Sequence, residues 1–309
     1  MLKHFVLLFI LFNCLIFPQS DNPVYETIPG FINNEMEFRQ NSSSQIHQVP
    51  LPHLYEIVSD APINIYGVVR NSFTPENLPA IGYLSALTAT LVMTDAQTHS
   101  AIKTFFRNNK SLNNYGKYAV YLGDGKIDIG IGSLFALYGV TFSDNLAVRT
   151  GIQCTEAIVS NGILVQLLKR ISGRESPLSA SSKTGTWRLF PNFIKYQKNQ
   201  PKYYSFPSGH LSTAMATLTV IAENYTDSHF IRPIGYSLEG LLGLSLVSRD
   251  LHWFSDFPLA WALGYEFGMF ITSRNISVKG NKENSNSLNV SFMPLYLSRG
   301  AGIDMLVSF

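Results

Sequence analysis

From Glu76 onward the chain is one apolar stretch after another, at about 77–94, 96–108, 129–142, 146–171, 209–224, 230–249 and 255–273, broken by clusters of Gly, Asn and Asp. Stretches of this length, without alternation at every second residue, predict helices. The expected fold is all-α, a helical bundle of about six core helices. The composition agrees: 46% of residues are hydrophobic and only 14% charged, which calls for a large helical core or burial in lipid. Ile81 to Met93, Phe230 to Val247 and Phe257 to Thr272 are apolar enough to be embedded. Each falls short of a clean membrane span or carries an acid such as Glu239 or Glu266, so a buried bundle core fits equally well.

The flanks read differently. Residues 1–20 have the pattern of a signal peptide: Lys3 and His4 as a weak basic start, Phe5 to Phe17 too short to span a bilayer, and a polar exit at Pro18-Gln19-Ser20. Cleavage near Ser20 would place the protein outside the cytoplasm, in the periplasm or cell envelope and associated with a membrane. It would also remove Cys14 and leave Cys154 with no disulfide partner, in an apolar setting that suits a small core residue. Residues 21–75 are polar, with scattered Pro, and read as an extended N-terminal lead-in to the bundle at 76–275. Residues 276–309 read as a polar linker and a short C-terminal β-hairpin appendage. Leu288 to Leu297 and Ile303 to Phe309 would pair around Arg299-Gly300-Ala301-Gly302 and pack on the bundle. A net charge of +2, with no basic run interleaved by aromatics, excludes a nucleic-acid partner.

Chemistry concentrates at three places. In Phe206-Pro207-Ser208-Gly209-His210, Pro207 ends one segment, Ser208 caps the helix that follows, and Gly209 lets backbone N–H groups approach an oxyanion. His210 would face the same anion and can protonate a leaving alkoxide, although an ordinary capped helix with an incidental histidine gives the same letters. In His252-Trp253-Phe254-Ser255-Asp256, the carboxylate four residues after the imidazole can fix its tautomer and leave the other ring nitrogen free to attack. In Lys169 to Pro177, Lys169 ends a helical run, where the helix dipole favours a cation in any case. Between Pro177 and Ser205 lies a loop with Lys183, Trp187, Arg188, Lys195, Lys198, Lys202 and Tyr203. It suits either a lid or lip resting on lipid headgroups or a solvated basic loop.

The order and spacing of these pieces resemble the type 2 phosphatidic acid phosphatase superfamily, from about Asn77 to Gly268 and including the Gly123-Asp124-Gly125 turn and Gly173-Arg174-Glu175. The resemblance implies phosphate binding by Lys169, Ser208 and Gly209, His210 as general acid, His252 as the phosphorylated nucleophile and Asp256 as its orienter, with no metal and no cofactor. Two family arginines are out of register. Their positions hold Ser176 and Leu246, and the nearest arginines are Arg174 and Arg249. Each lost donor to the transition state could cost on the order of 3 kcal/mol, so Arg174 and Arg249 are expected to reach the phosphate from displaced positions.

The leading expectation is a metal-independent phosphatase acting on a phosphomonoester or diphosphate, of a lipid or a small molecule, through a phosphohistidine. A vanadium haloperoxidase shares the pocket type but needs the arginines that are missing. A catalytically degenerate relative that binds anionic lipid or has an envelope role is the non-enzyme alternative. Nothing in the sequence specifies the substrate alcohol or the oligomeric state.

Overall fold

The structure, a computed structural model, describes residues 51–277, 289–297 and 300–308. The helical body contains α1 (Glu56–Ser59), α2 (Ala61–Ser72), α3 (Leu78–Asn108), α4 (Lys110–Ala119), α5 (Gly125–Phe142), α6 (Asn145–Ser172), α7 (Phe193–Lys198), α8 (Gly209–Asn224), α9 (Ile231–Ser248) and α10 (Phe257–Ser277). Short 3₁₀ turns at Val120–Gly123, Pro177–Ser179, Gln200–Lys202 and Phe254–Asp256 link them.

The starts and stops follow local chemistry. Asp124 caps α5 by accepting from the Lys126 N–H at 3.0 Å, and Asp144 caps α6 by accepting from Leu146 and Ala147 at 3.0 and 3.1 Å. Helix α6 ends at Gly173, whose φ of +53° is left-handed backbone; a Cβ there would sit 1.9 Å from the Arg188 carbonyl oxygen.

The core forms around α6. Cys154, Ala157 and Leu164 pack with Val68 of α2, Ala216 and Val220 of α8, and Phe267 and Ile271 of α10. Each large aliphatic or aromatic side chain so buried contributes about 1.5–3 kcal/mol. Helix α10 lies so close to α8 that a Cβ on Gly264 would come within 2.3 Å of the Ser212 carbonyl oxygen. At one end of the core, Asn64 donates to Glu156 at 2.8 Å, and Arg274 donates to Glu156 and Asp60 at 2.9 and 2.6 Å, tying α2, α6 and α10 together.

Three expectations need correction. The body is all-α but has ten α-helices among the described residues instead of about six. The lead-in supplies half of the excess: its described part forms α1 and α2, because Ala61, Asn64 and Val68 bury against the bundle, and the short helices α4 and α7 supply the rest. The stretches at 77–94 and 96–108 are one helix, α3, since Asp95 between them is a buried ligand and not a break. The short hairpin appendage packed on the bundle is not found as expected. No strand belongs to the helical body, and the extended backbone at β1 (Asn289–Leu297) and β2 (Gly300–Ser308) pairs within itself, with β2 starting inside the expected turn. Alternation in a sequence predicts extended backbone but not what that backbone packs against. No helix among the described residues is long and apolar enough to cross a membrane. The expected export signal lies outside the described residues.

Candidate functional site

Three chain segments bring the sequence-predicted residues together. Helix α6 delivers Lys169 in its last turn, the N-terminus of α8 delivers Ser208, Gly209 and His210, and the turn between α9 and α10 delivers His252 and Asp256. The imidazoles of His210 and His252 face each other edge to face, with ring centroids 5.9 Å apart and planes at 74°. His252 is buried, and its Nδ1 lies 3.3 Å from Asp256 Oδ2. Its Nε2 is buried without a hydrogen-bond partner among the described residues. That nitrogen is therefore the free end of an oriented ring.

Ser208 accepts from the Leu211 N–H as the cap of α8, and its own N–H donates to the Asp256 carbonyl at 3.0 Å, locking the helix start to the His252 turn. The Lys169 ammonium donates to the Tyr204 carbonyl and lies 5.3 Å from the Tyr204 ring centroid. A Cβ on Gly209 would be 3.9 Å from Lys169 Nζ, so the cation adjoins the open N–H groups of α8. On the other side, Gly123 lets its turn press on His210: a Cβ there would lie 2.5 Å from the His210 carbonyl oxygen.

The electrostatics follow from burial. Burial lowers His252, against its hydrogen bond to Asp256. Burial, then His252 and Lys169, lower His210 to about 3. Burial lowers Lys169 to about 8, with Asp256 opposing. Burial pushes Asp256 upward, but Arg174 first, and then His252 and Ser205, outweigh it and hold the carboxyl at about 2.

The structure does not place the two displaced arginines against the gap between the histidines. Arg174 is fully buried behind it, donating to Asp256 Oδ1 at 2.5 Å, Ser255 Oγ at 2.6 Å, Asp95 Oδ2 at 2.6 Å and the Thr184 carbonyl at 2.9 Å. Its guanidinium also lies over the Trp187 ring at 4.7 Å. Two carboxylates within hydrogen-bond distance compete for this cation, and both are inside the protein. Arg249 caps α9 and donates to the Asn113 carbonyl at 2.8 Å, because Asp250, with a φ of 62°, turns the chain away immediately after it. Leu246 is a core residue, and Ser176 is buried.

Sequence reasoning missed the support behind Asp256. Ser205 donates to Oδ2 at 2.6 Å and the Trp253 N–H donates at 2.8 Å, while Asp95 accepts from Ser255 Oγ at 2.5 Å and from the Ser255 N–H at 3.1 Å. The available signal was an acid in the middle of an apolar helix.

Residues 151–275 match the model of the PAP2 superfamily, a span that contains Lys169, Ser208, Gly209, His210, His252 and Asp256. Over that segment the chain is similar to the PAP2 superfamily. No curated protein matches the chain. Among solved structures, that of the first transmembrane PAP2-type phosphatidylglycerolphosphate phosphatase from Bacillus subtilis matches at 16% identity with a TM-score of 0.45, covering 74% of this chain and 100% of that one. Within the PAP2 segment, this chain carries the two-histidine pocket with one lysine beside it.

Proposed function

We propose that the chain is a phosphatase of the PAP2 type that hydrolyses a phosphomonoester or diphosphate, with a lipid as the alcohol side, through a phosphohistidine at His252. The observation that carries this reading is the unpartnered, buried Nε2 of His252, oriented by Asp256 and facing His210 across a gap bordered by Lys169 and the N-terminus of α8.

A tetrahedral phosphate in that gap meets a nucleophile on one side, an acid on the other, and positive potential from Lys169 and the helix end. His252 Nε2 bonds to phosphorus as the bond to the leaving oxygen breaks, and His210 gives that oxygen a proton. Water then attacks phosphorus, His210 takes the water's proton, and the P–N bond returns its electron pair to His252. His210 is uncharged in the empty site because of burial and its cationic neighbours. An arriving phosphate adds negative charge between the rings and favours the protonated acid, so the site charges His210 when it is loaded.

Asp256 stabilises the cationic ring that forms on attack, and Arg174 keeps Asp256 ionised in the core. Lys169 is the one lysine or arginine among the sequence-predicted binders that adjoins the gap, so slow turnover is expected relative to a site with two additional arginines.

The test is phosphate release from a soluble aryl phosphate, with acid quench to trap labelled enzyme. Wild-type protein should turn over and yield an acid-labile phosphoenzyme. His252→Ala should lose both, with a fall in rate on the order of 10⁴-fold. Binding of phosphate or vanadate without turnover would favour the degenerate-relative reading instead.

A further inference from the structure

The segment from Ser176 to Ala222 contains no acidic residue, yet it carries Lys183, Arg188, Lys195, Lys198 and Lys202. Arg188 is paired with Glu175, whereas the four lysines make no ion pair or side-chain hydrogen bond among the described residues. Interleaved with them are Leu189, Phe190, Phe193 and Ile194, exposed at 65%, 73%, 63% and 63%.

Their exposure does not come from a slack loop. The Arg188 N–H donates to the Gly173 carbonyl at 3.1 Å and the Phe190 N–H to the Ile171 carbonyl at 3.0 Å, fastening the segment to the end of α6. Asn192 caps α7 by accepting from the Ile194 and Lys195 N–H groups at 3.1 and 3.2 Å. Tyr196 turns inward and is buried, with the Arg170 guanidinium 5.0 Å from its ring centroid. Trp187 packs on Phe206 at 5.0 Å, just before the Pro207-Ser208-Gly209-His210 turn. Four apolar side chains are thus held outward beside the helix end that carries Lys169.

We propose that the segment Leu189–Lys202 is an interfacial anchor that seats the mouth of the site on an anionic lipid surface. The apolar tips enter the boundary between headgroups and acyl chains while the lysines stay among phosphates, which meets the need for two signals in stable surface binding. A second copy docking through the same face would bring lysines against lysines, so charge complementarity favours the membrane. The phosphatase reading supplies a purpose for the anchor, namely presenting a headgroup phosphate to the pocket, but anchoring is measurable without turnover.

The experiment uses the full chain with Cys14→Ser and Phe190→Cys, carrying an environment-sensitive fluorophore at position 190; Cys154 is buried and stays unlabelled. Emission should shift to the blue with vesicles of phosphatidylcholine and phosphatidylglycerol, and much less with phosphatidylcholine alone. Adding K195E, K198E and K202E should weaken partition by at least roughly 100-fold at low salt, since each lysine near an anionic surface contributes about fivefold. Phosphate release from a soluble aryl phosphate should stay unchanged in that variant. The shift should persist in His252→Ala protein, which separates failure of the anchor from failure of the phosphatase reading. No shift with either vesicle, a shift indifferent to charge reversal, or a shift that grows with protein concentration without lipid would each overturn the proposal.

Discussion

Asp256 and Asp128 are both buried aspartates of the bundle, and they have opposite fates. Asp256 accepts from Arg174 on one oxygen and from Ser205 and the Trp253 N–H on the other, and is held at about 2. Asp128, on α5, has a buried Oδ2 without a hydrogen-bond partner among the described residues, and burial first, then Asp124, push it up to about 8. Glu239 resembles Asp128: it accepts from the Trp261 indole at 3.1 Å, and burial raises it well above the ordinary range. Burial by itself neutralises a carboxyl, and a charge survives in the core only where a cation and several donors are built around it. The molecule does this behind His252, where the proposed chemistry needs a lasting negative charge, and not at Asp128.

The largest way to break this contrast is to remove the cation. Arg174→Ala leaves Asp95 and Asp256 buried without their shared cation, and should destabilise the fold by roughly 3–5 kcal/mol in urea unfolding, with turnover lost alongside. Asp95→Asn keeps the shape but drops one charge; kcat should fall roughly tenfold, with KM within about twofold. A rise in KM alone would instead place Arg174 at the phosphate.

The pH profile sharpens the same point on the cationic side. Lys169 is lowered to about 8 because it is buried. It loses its charge as pH rises through that value, so kcat/KM on a soluble aryl phosphate, which already declines at lower pH because free His210 is held at about 3, should fall more steeply above pH 8, by up to about a further tenfold per unit. In Lys169→Arg, whose guanidinium stays charged, that extra steepening above pH 8 should disappear.

The smallest effect is expected at Asp128. Its carboxyl binds a proton more tightly in the folded state, at about 8 against an ordinary 3.8, so its unfavourable contribution grows as pH rises between those values. Asp128→Asn should be neutral near pH 4 and stabilising by on the order of 1 kcal/mol near pH 8, because the amide is itself a buried polar group. Turnover should be unchanged. A destabilised Asp128→Asn protein would mean that the carboxylate is charged and paired after all.

The sequence by itself determined the helical class of the body, the capped start of α8, and the grouping of Lys169, Ser208, Gly209, His210, His252 and Asp256. Period, caps and short-range spacing are local properties written in consecutive residues. It did not determine where Arg174 and Arg249 would point, that Asp95 would cross from α3 to meet Arg174, or that residues 56–72 would be helical. Those depend on which carboxylates and carbonyls the packed helices bring within reach. A guanidinium settles on the most strongly opposed charge available in three dimensions, and for Arg174 that charge lies behind His252 instead of in the gap in front of it.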